Sequence, residues 1–124
     1  MDKKFVMTGL GYGILGLALG IFMAATKNHG QLATHAHIML LGLVVSFIYG
    51  VCHKLWLHDV PKKLATIQFY LHQTGTLVLL ISLFLMYGGY LAPSVLGPVL
   101  GIASIVVLAA MVMMKVLFIK ASRS

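Results

Sequence analysis

Four long apolar segments dominate this sequence and limit it to the class of integral membrane proteins. They cover residues 5–25, 32–57, 65–87 and 94–119, and each is long enough to cross a bilayer as a helix, which takes about 20 residues. The chain is 60% hydrophobic and 9% charged, with a mean hydropathy of +1.02. A soluble domain of 124 residues has too little interior to bury so much apolar side chain. We therefore predict an all-α fold, in which residues 1–124 form one transmembrane four-helix bundle.

The basic residues predict the orientation of this bundle. Eight of the nine lie at one end of the predicted spans, and only Lys27 lies at the other. Such a bias predicts that both termini are cytoplasmic. The first apolar segment follows two lysines but is longer than a signal-peptide core, so we interpret it as a retained span. The pattern favours the cytoplasmic (inner) membrane of a prokaryote, and the lipid bilayer rather than nucleic acid as partner, despite the net charge of +7.

The acidic residues and the cysteine limit the kinds of functional site that this chain can form. Both acidic residues, Asp2 and Asp59, lie outside the predicted spans, whereas intramembrane proton relays and cation sites usually use carboxylates. The single cysteine, Cys52, excludes an internal disulfide and a cysteine-based cluster. Histidine is therefore the residue type on which a functional site in this membrane domain would depend.

Three histidines are the candidate cofactor ligands. His35 and His37 lie near the start of the second span, and a helix turns about 100° per residue, so their rings are expected on nearly opposite faces. His72 lies in the third span. A neutral imidazole is a good ligand for haem iron, copper or zinc. His53 and His58 flank Trp56 at the cytoplasmic end of the second span, where amphipathic rings are common, and we interpret them as interfacial.

Other side chains near these histidines indicate how a site is supported. The first half of the third span is rich in polar groups, whereas its second half is almost purely apolar. With no carboxylate at hand, hydroxyl and amide side chains, main-chain carbonyls or water would have to orient the rings. Small residues recur on the first and fourth spans and predict close helix packing; they are Gly9, Gly13, Gly16, Gly20, Gly97 and Gly101.

One stretch resembles a known family. THAHIMLLGLVVSFIYG is similar to the haem-ligand helix of haem-copper oxidase subunit I, in its oxidase and nitric oxide reductase branches, where a His-x-His followed by Leu-Gly and Tyr holds two haems on opposite faces. The matching positions here are His35, His37, Leu41, Gly42 and Tyr49. The segment FYLHQTGTLVLLISLFLMYGG, which contains His72, resembles the span that follows in that family, or an equivalent span with copper ligands.

This resemblance implies that His35, His37 and His72 bind haem b, or an additional metal ion such as copper. It does not imply oxygen reduction, because the family's copper site uses two adjacent histidines and His72 is followed by Gln73. Subunit I of the family has twelve spans in three arcs of four, with ligand histidines on the second and third helix of each arc. The resemblance therefore implies a homotrimer that mimics this twelve-helix core.

Three functions remain open at this level. The leading hypothesis is a membrane b-type haem protein for electron transfer, gas sensing or modest redox activity, without a complete copper–haem site. The second is a carrier or channel that passes a metal ion or a proton by means of histidines. The third is a cofactor-free assembly subunit of a respiratory complex.

Overall fold

The computed structural model describes residues 1–123, which form four helices joined by short connections. We name them α1 (Asp2–Thr26), α2 (Leu32–Leu55), α3 (Lys62–Tyr87) and α4 (Pro93–Ser122). By length and composition, all four can cross a membrane. The predicted all-α architecture with four spans is therefore confirmed, and the helix ends differ from the predicted ones by a few residues.

The ends of these helices follow from local sequence. α1 is capped by Lys27, which follows its last residue, adopts a left-handed conformation (φ 55°) and donates its main-chain N–H to the carbonyl of Met23. α4 begins at Pro93, whose fixed φ suits a first helical position. α3 ends before Gly89, whose φ of 75° is readily available only to glycine. The connections after α1 and α3 thus reverse the chain.

α2 is not a uniform α-helix. It is α-helical over Leu32–His37, becomes a π-helix over Ile38–Val45, and is α-helical again over Ser46–Leu55. A π-helical segment has more residues per turn than an α-helix. Side chains that follow it therefore point in different directions from those that they would have in an uninterrupted α-helix. Such segments are rare and occur frequently at functional sites. This one begins directly after His37, and no pattern in the sequence predicted it.

The glycines of α1 allow close packing against α2, as predicted. A Cβ added at Gly9 would lie 3.3 Å from the carbonyl oxygen of Leu43, and one at Gly16 would lie 3.0 Å from Cγ2 of Ile38. α1 and α2 can therefore come this close only because these glycines have no side chain. The small pair on α4 behaves differently, because a Cβ at Gly97 or Gly101 would meet nothing within 4 Å. That face of α4 is open within one protomer.

Aromatic side chains fill the core at the end of the bundle where α1 begins. Phe5 is fully buried, and its ring lies 5.4 Å from that of Tyr49 and 4.8 Å from that of Phe69, both in edge-to-face contact. Such pairs stabilise a core beyond the burial of their area. A second buried cluster lies toward the other end, at Leu79, Leu80, Leu83 and Ala103. His72 adjoins the aromatic cluster, with its ring 5.0 Å from that of Tyr49.

Candidate functional site

His35 lies between α2 and α1 and is half-buried. Its Nδ1 is 2.7 Å from the main-chain carbonyl oxygen of Gly16. A carbonyl oxygen can only accept, so Nδ1 carries the hydrogen and Nε2 of the neutral ring has a free lone pair. The ring fits there because α1 has a glycine next to it: a Cβ at Gly20 would lie 3.1 Å from Cε1 of His35.

His37 is also half-buried, and its ring is held within its own helix. Its Nδ1 lies 2.7 Å from the carbonyl oxygen of Ala33, one turn earlier. The same reasoning makes Nδ1–H the donor and leaves the Nε2 lone pair free. The π-helical segment starts at the next residue, Ile38, so the geometry of the chain changes immediately beyond this ring.

Both rings thus have the hydrogen-bonding pattern of a metal-binding histidine. An outer hydrogen bond fixes ring and tautomer, and the opposite nitrogen is available to a metal. Thr34, between the two ring-bearing faces, is buried and donates to Oε1 of Gln31 at 2.6 Å, and Nε2 of Gln31 donates to the carbonyl of Phe84 at 2.9 Å. These bonds tie the start of α2 to the end of α3 and hold the segment that carries both histidines.

His72 is in a different environment. It is fully buried, and its Nε2 lies 3.2 Å from the carbonyl oxygen of Leu41 and 3.1 Å from Oγ of Ser46. Because the Leu41 carbonyl can only accept, Nε2 carries the hydrogen. Nδ1 is then an acceptor, and it has no hydrogen-bond partner among the described residues. A porphyrin could not reach this ring in a single protomer without opening the core, so the haem-ligand role of His72 stays a prediction that the packing disfavours.

Two further buried groups share the face of α3 that carries His72. Gln68 and Thr76 lie one turn before and one turn after it, and both are fully buried. Nε2 of Gln68 donates to the carbonyl of Ala110 at 3.0 Å, while its Oε1 and the hydroxyl of Thr76 have no partner within residues 1–123. We call Gln68, His72 and Thr76 the α3 polar stripe. It presents unpaired acceptors inside the bundle, where unpaired polar groups are costly.

The predicted ligands do not form one site within a protomer. In the described part of the chain, no three histidine, cysteine or acidic side chains lie close enough together to hold a metal ion. His35 packs against α1, His37 bonds within α2, and His72 is enclosed between α2 and α3. The arrangement offers two separate imidazoles at the periphery and one in the interior.

Two features of the structure were not predicted from the sequence. His53 lies at the end of α2, as predicted, but its contacts were not: it is 8% exposed and its ring stacks on that of Phe5, with centroids 5.6 Å apart. Position along α2 does not reveal the contact that α1 makes with that face. The second feature is the carbonyl of Leu41, which contacts His72 from within the π-helical segment. Among the residues that carried the family resemblance, Leu41 therefore supports a buried histidine.

No protein-family model, curated protein or solved structure matches this chain.

Proposed function

We propose that this chain is a membrane b-type haem protein in which His35 and His37 bind haem iron. The observation that carries the proposal is the hydrogen bond from Nδ1–H of each ring to a main-chain carbonyl oxygen at 2.7 Å. These bonds leave both Nε2 atoms free and their rings fixed, as haem ligation requires. The resemblance of THAHIMLLGLVVSFIYG to a haem-ligand helix supports the same two residues.

Bound haem would supply a one-electron iron couple and, where one axial position is open, a place for a diatomic gas. The contribution of this chain is to orient the two imidazoles and to surround them with apolar helices. This arrangement would serve electron transfer, gas sensing or modest redox activity. An additional metal such as copper would have to use His72, whose free Nδ1 is enclosed in the core.

A homotrimer is part of the proposal. His35 and His37 are half-buried, so a porphyrin bound to either one lies at the edge of the protomer, against lipid or a second copy. Gly97 and Gly101 leave a close-packing face on α4 that nothing within the described protomer covers. Native mass spectrometry in mild detergent should give the mass of three chains with haem. A haem-loaded monomer would contradict both the trimer and a site shared between subunits.

An optical absorption spectrum of the purified protein tests haem binding. We expect a Soret band, and a pyridine haemochrome spectrum that identifies haem b. His35→Ala and His37→Ala should each lower the haem content or shift the band, whereas His29→Ala, an exposed histidine at the same end of α2, should leave the spectrum unchanged. Parental haem content in the double variant His35→Ala/His37→Ala would refute the assignment.

The α3 polar stripe favours a second candidate function, a histidine-based carrier or channel for a proton or a metal ion. Its unpaired Gln68 Oε1, His72 Nδ1 and Thr76 Oγ1 are groups that water or a cation would satisfy. If the chain is such a carrier or channel, we expect the purified protein to be colourless. Proteoliposomes that contain it should show proton or metal-ion flux, and His72→Phe should abolish that flux. A haem spectrum combined with no flux would reject this second candidate.

A further inference from the structure

The π-helical segment of α2, Ile38–Val45, separates the turn that carries His35 and His37 from the rest of the helix. In a π-helix each N–H donates to the carbonyl five residues earlier, and in an α-helix to the carbonyl four residues earlier. Where the pairing changes from five back to four, one main-chain carbonyl is passed over. Inside a membrane bundle no bulk water is available to it, so it needs a donor from another helix.

His72 on α3 supplies a donor at this change of pairing. Its Nε2 lies 3.2 Å from the carbonyl oxygen of Leu41, in the last turn of the π-helical segment. The same Nε2 lies 3.1 Å from Oγ of Ser46, the first residue of the α-helical part that follows. The main-chain N–H of Ser46 donates to the carbonyl of Leu43. One imidazole therefore contacts α2 on both sides of the point where its pairing changes.

The π-helical segment is also enclosed by α1. A Cβ at Gly42 would lie 2.5 Å from Cγ of Tyr12, so α1 follows the shape of this segment closely. On the other side, the His72 ring is fully buried, and Tyr49 packs edge-on against it with centroids 5.0 Å apart. The donor that reaches the Leu41 carbonyl is thus held in place by packing.

We infer that His72 is a positioning residue, which keeps the π-helical pairing of α2 and thereby orients His35 and His37 toward a cofactor. This role rests on the proposed haem site and differs from the ligand role predicted for His72. A π-helical segment takes up about one residue more than an α-helix with the same number of turns. Without it, the residues before the segment would turn by about 100° relative to those after it. The bond of His35 to the Gly16 carbonyl and the packing of the later half of α2 on α1 could not both persist.

The haem spectrum of the full chain in detergent distinguishes positioning from ligation. His72→Gln removes the imidazole but keeps an N–H donor of similar reach, so we expect the haem content and Soret band of the parent. His72→Leu has a side chain of similar size without a donor, and it leaves the Leu41 carbonyl unpaired. We expect it to shift the Soret band and to weaken haem binding about tenfold, as the loss of a buried hydrogen bond does.

Thr76→Val is the matched control. It removes a fully buried polar group from the same face of α3, but this hydroxyl has no hydrogen-bond partner within residues 1–123. Haem content and the Soret band should therefore stay at the values of the parent. A control that changed the spectrum as much as His72→Leu would show that any alteration of this face disturbs the site, which would overturn the positioning role.

The pairing of α2 can also be measured without haem. Leu32→Cys and Lys54→Cys, in a Cys52→Ser background, place spin labels at two exposed positions near the ends of α2. The distance between the labels, measured by electron paramagnetic resonance, depends on the number of residues per turn between them. We expect His72→Leu to change this distance and His72→Gln to leave it unchanged.

Two further results would overturn the inference. If His72→Gln loses haem as His72→Leu does, the imidazole itself is required, as for a ligand. If His72→Leu has the parental spectrum and the parental label distance, His72 does not keep the pairing. A parent chain without haem would refute the proposed haem protein instead, and the label distance in His72→Leu would still decide whether His72 keeps the π-helical segment.

Discussion

His72 on α3 and Ser46 on α2 form a hydrogen-bonding pair in the interior of the bundle. Nε2 of the imidazole lies 3.1 Å from Oγ of the serine, and both side chains are fully buried. The pair joins the second and third spans in the buried interior of the bundle. Because Nε2 also lies 3.2 Å from the carbonyl oxygen of Leu41, its N–H is shared between the Ser46 side chain and the main chain of the π-helical segment.

Removing this contact should destabilise the protein. We expect Ser46→Ala to lower the free energy of unfolding by about 1 kcal/mol, the usual net contribution of one internal hydrogen bond. Unfolding of the detergent-solubilised protein by sodium dodecyl sulfate measures it. The control is Ser104→Ala, whose exposed hydroxyl bonds to the carbonyl of Leu100 in its own helix. If Ser46→Ala is as stable as the parent, the pair does not contribute to the fold.

Two buried threonines should respond in opposite ways to the same substitution. Thr76 Oγ1 has no partner among the described residues, so Thr76→Val should leave stability unchanged or raise it, because an unpaired hydroxyl is replaced by a methyl group. Thr34 donates to Gln31 at 2.6 Å, so Thr34→Val should cost about 1 kcal/mol. The same unfolding assay measures both. If Thr76→Val lowers the free energy of unfolding as much as Thr34→Val does, the Thr76 hydroxyl has a partner, such as water.

The contact between α1 and α2 should depend on Gly42. A Cβ there would lie 2.5 Å from Cγ of Tyr12, close to the main chain of α1, so the clash cannot be relieved by a flexible chain end. We expect Gly42→Ala to cost about 1–3 kcal/mol, as overpacking of a core does. Gly11→Ala, at a position with nothing within 4 Å, should be neutral or slightly stabilising in the same unfolding measurement. Equal stability of the two variants would contradict this close packing.

Haem binding should respond to a substitution at Gly20, a residue that cannot itself bind iron. A Cβ at Gly20 would lie 3.1 Å from Cε1 of His35, so Gly20→Ala should displace the ring and lengthen its bond to the Gly16 carbonyl. We expect lower haem occupancy or a shifted Soret band with helix content retained by circular dichroism. Gly11→Ala on the same helix serves as control. Identical spectra for parent and Gly20→Ala would show that the ring has room to move, or that it does not bind iron.

The helical spans were predictable from the sequence for a simple reason. A segment of about 20 apolar residues in a bilayer must satisfy its main-chain hydrogen bonds internally, and a helix does so without any contact from elsewhere in the chain. The close approach of α1 through Gly9 and Gly16 was predictable for a related reason, since small residues on one stripe leave space for a neighbour. The identity of His35, His37 and His72 as polar rings within spans also required nothing beyond the sequence.

The surroundings of those rings were decided by tertiary structure. The rotation of each helix about its axis buries His72 completely and leaves His35 and His37 half-buried, and the π-helical segment changes that rotation midway along α2. The same long-range packing stacks His53 on Phe5, 48 residues away in sequence. Local patterns determine that each span is a helix. Which of its polar groups find partners depends on the contacts between helices, which form only when all four are assembled.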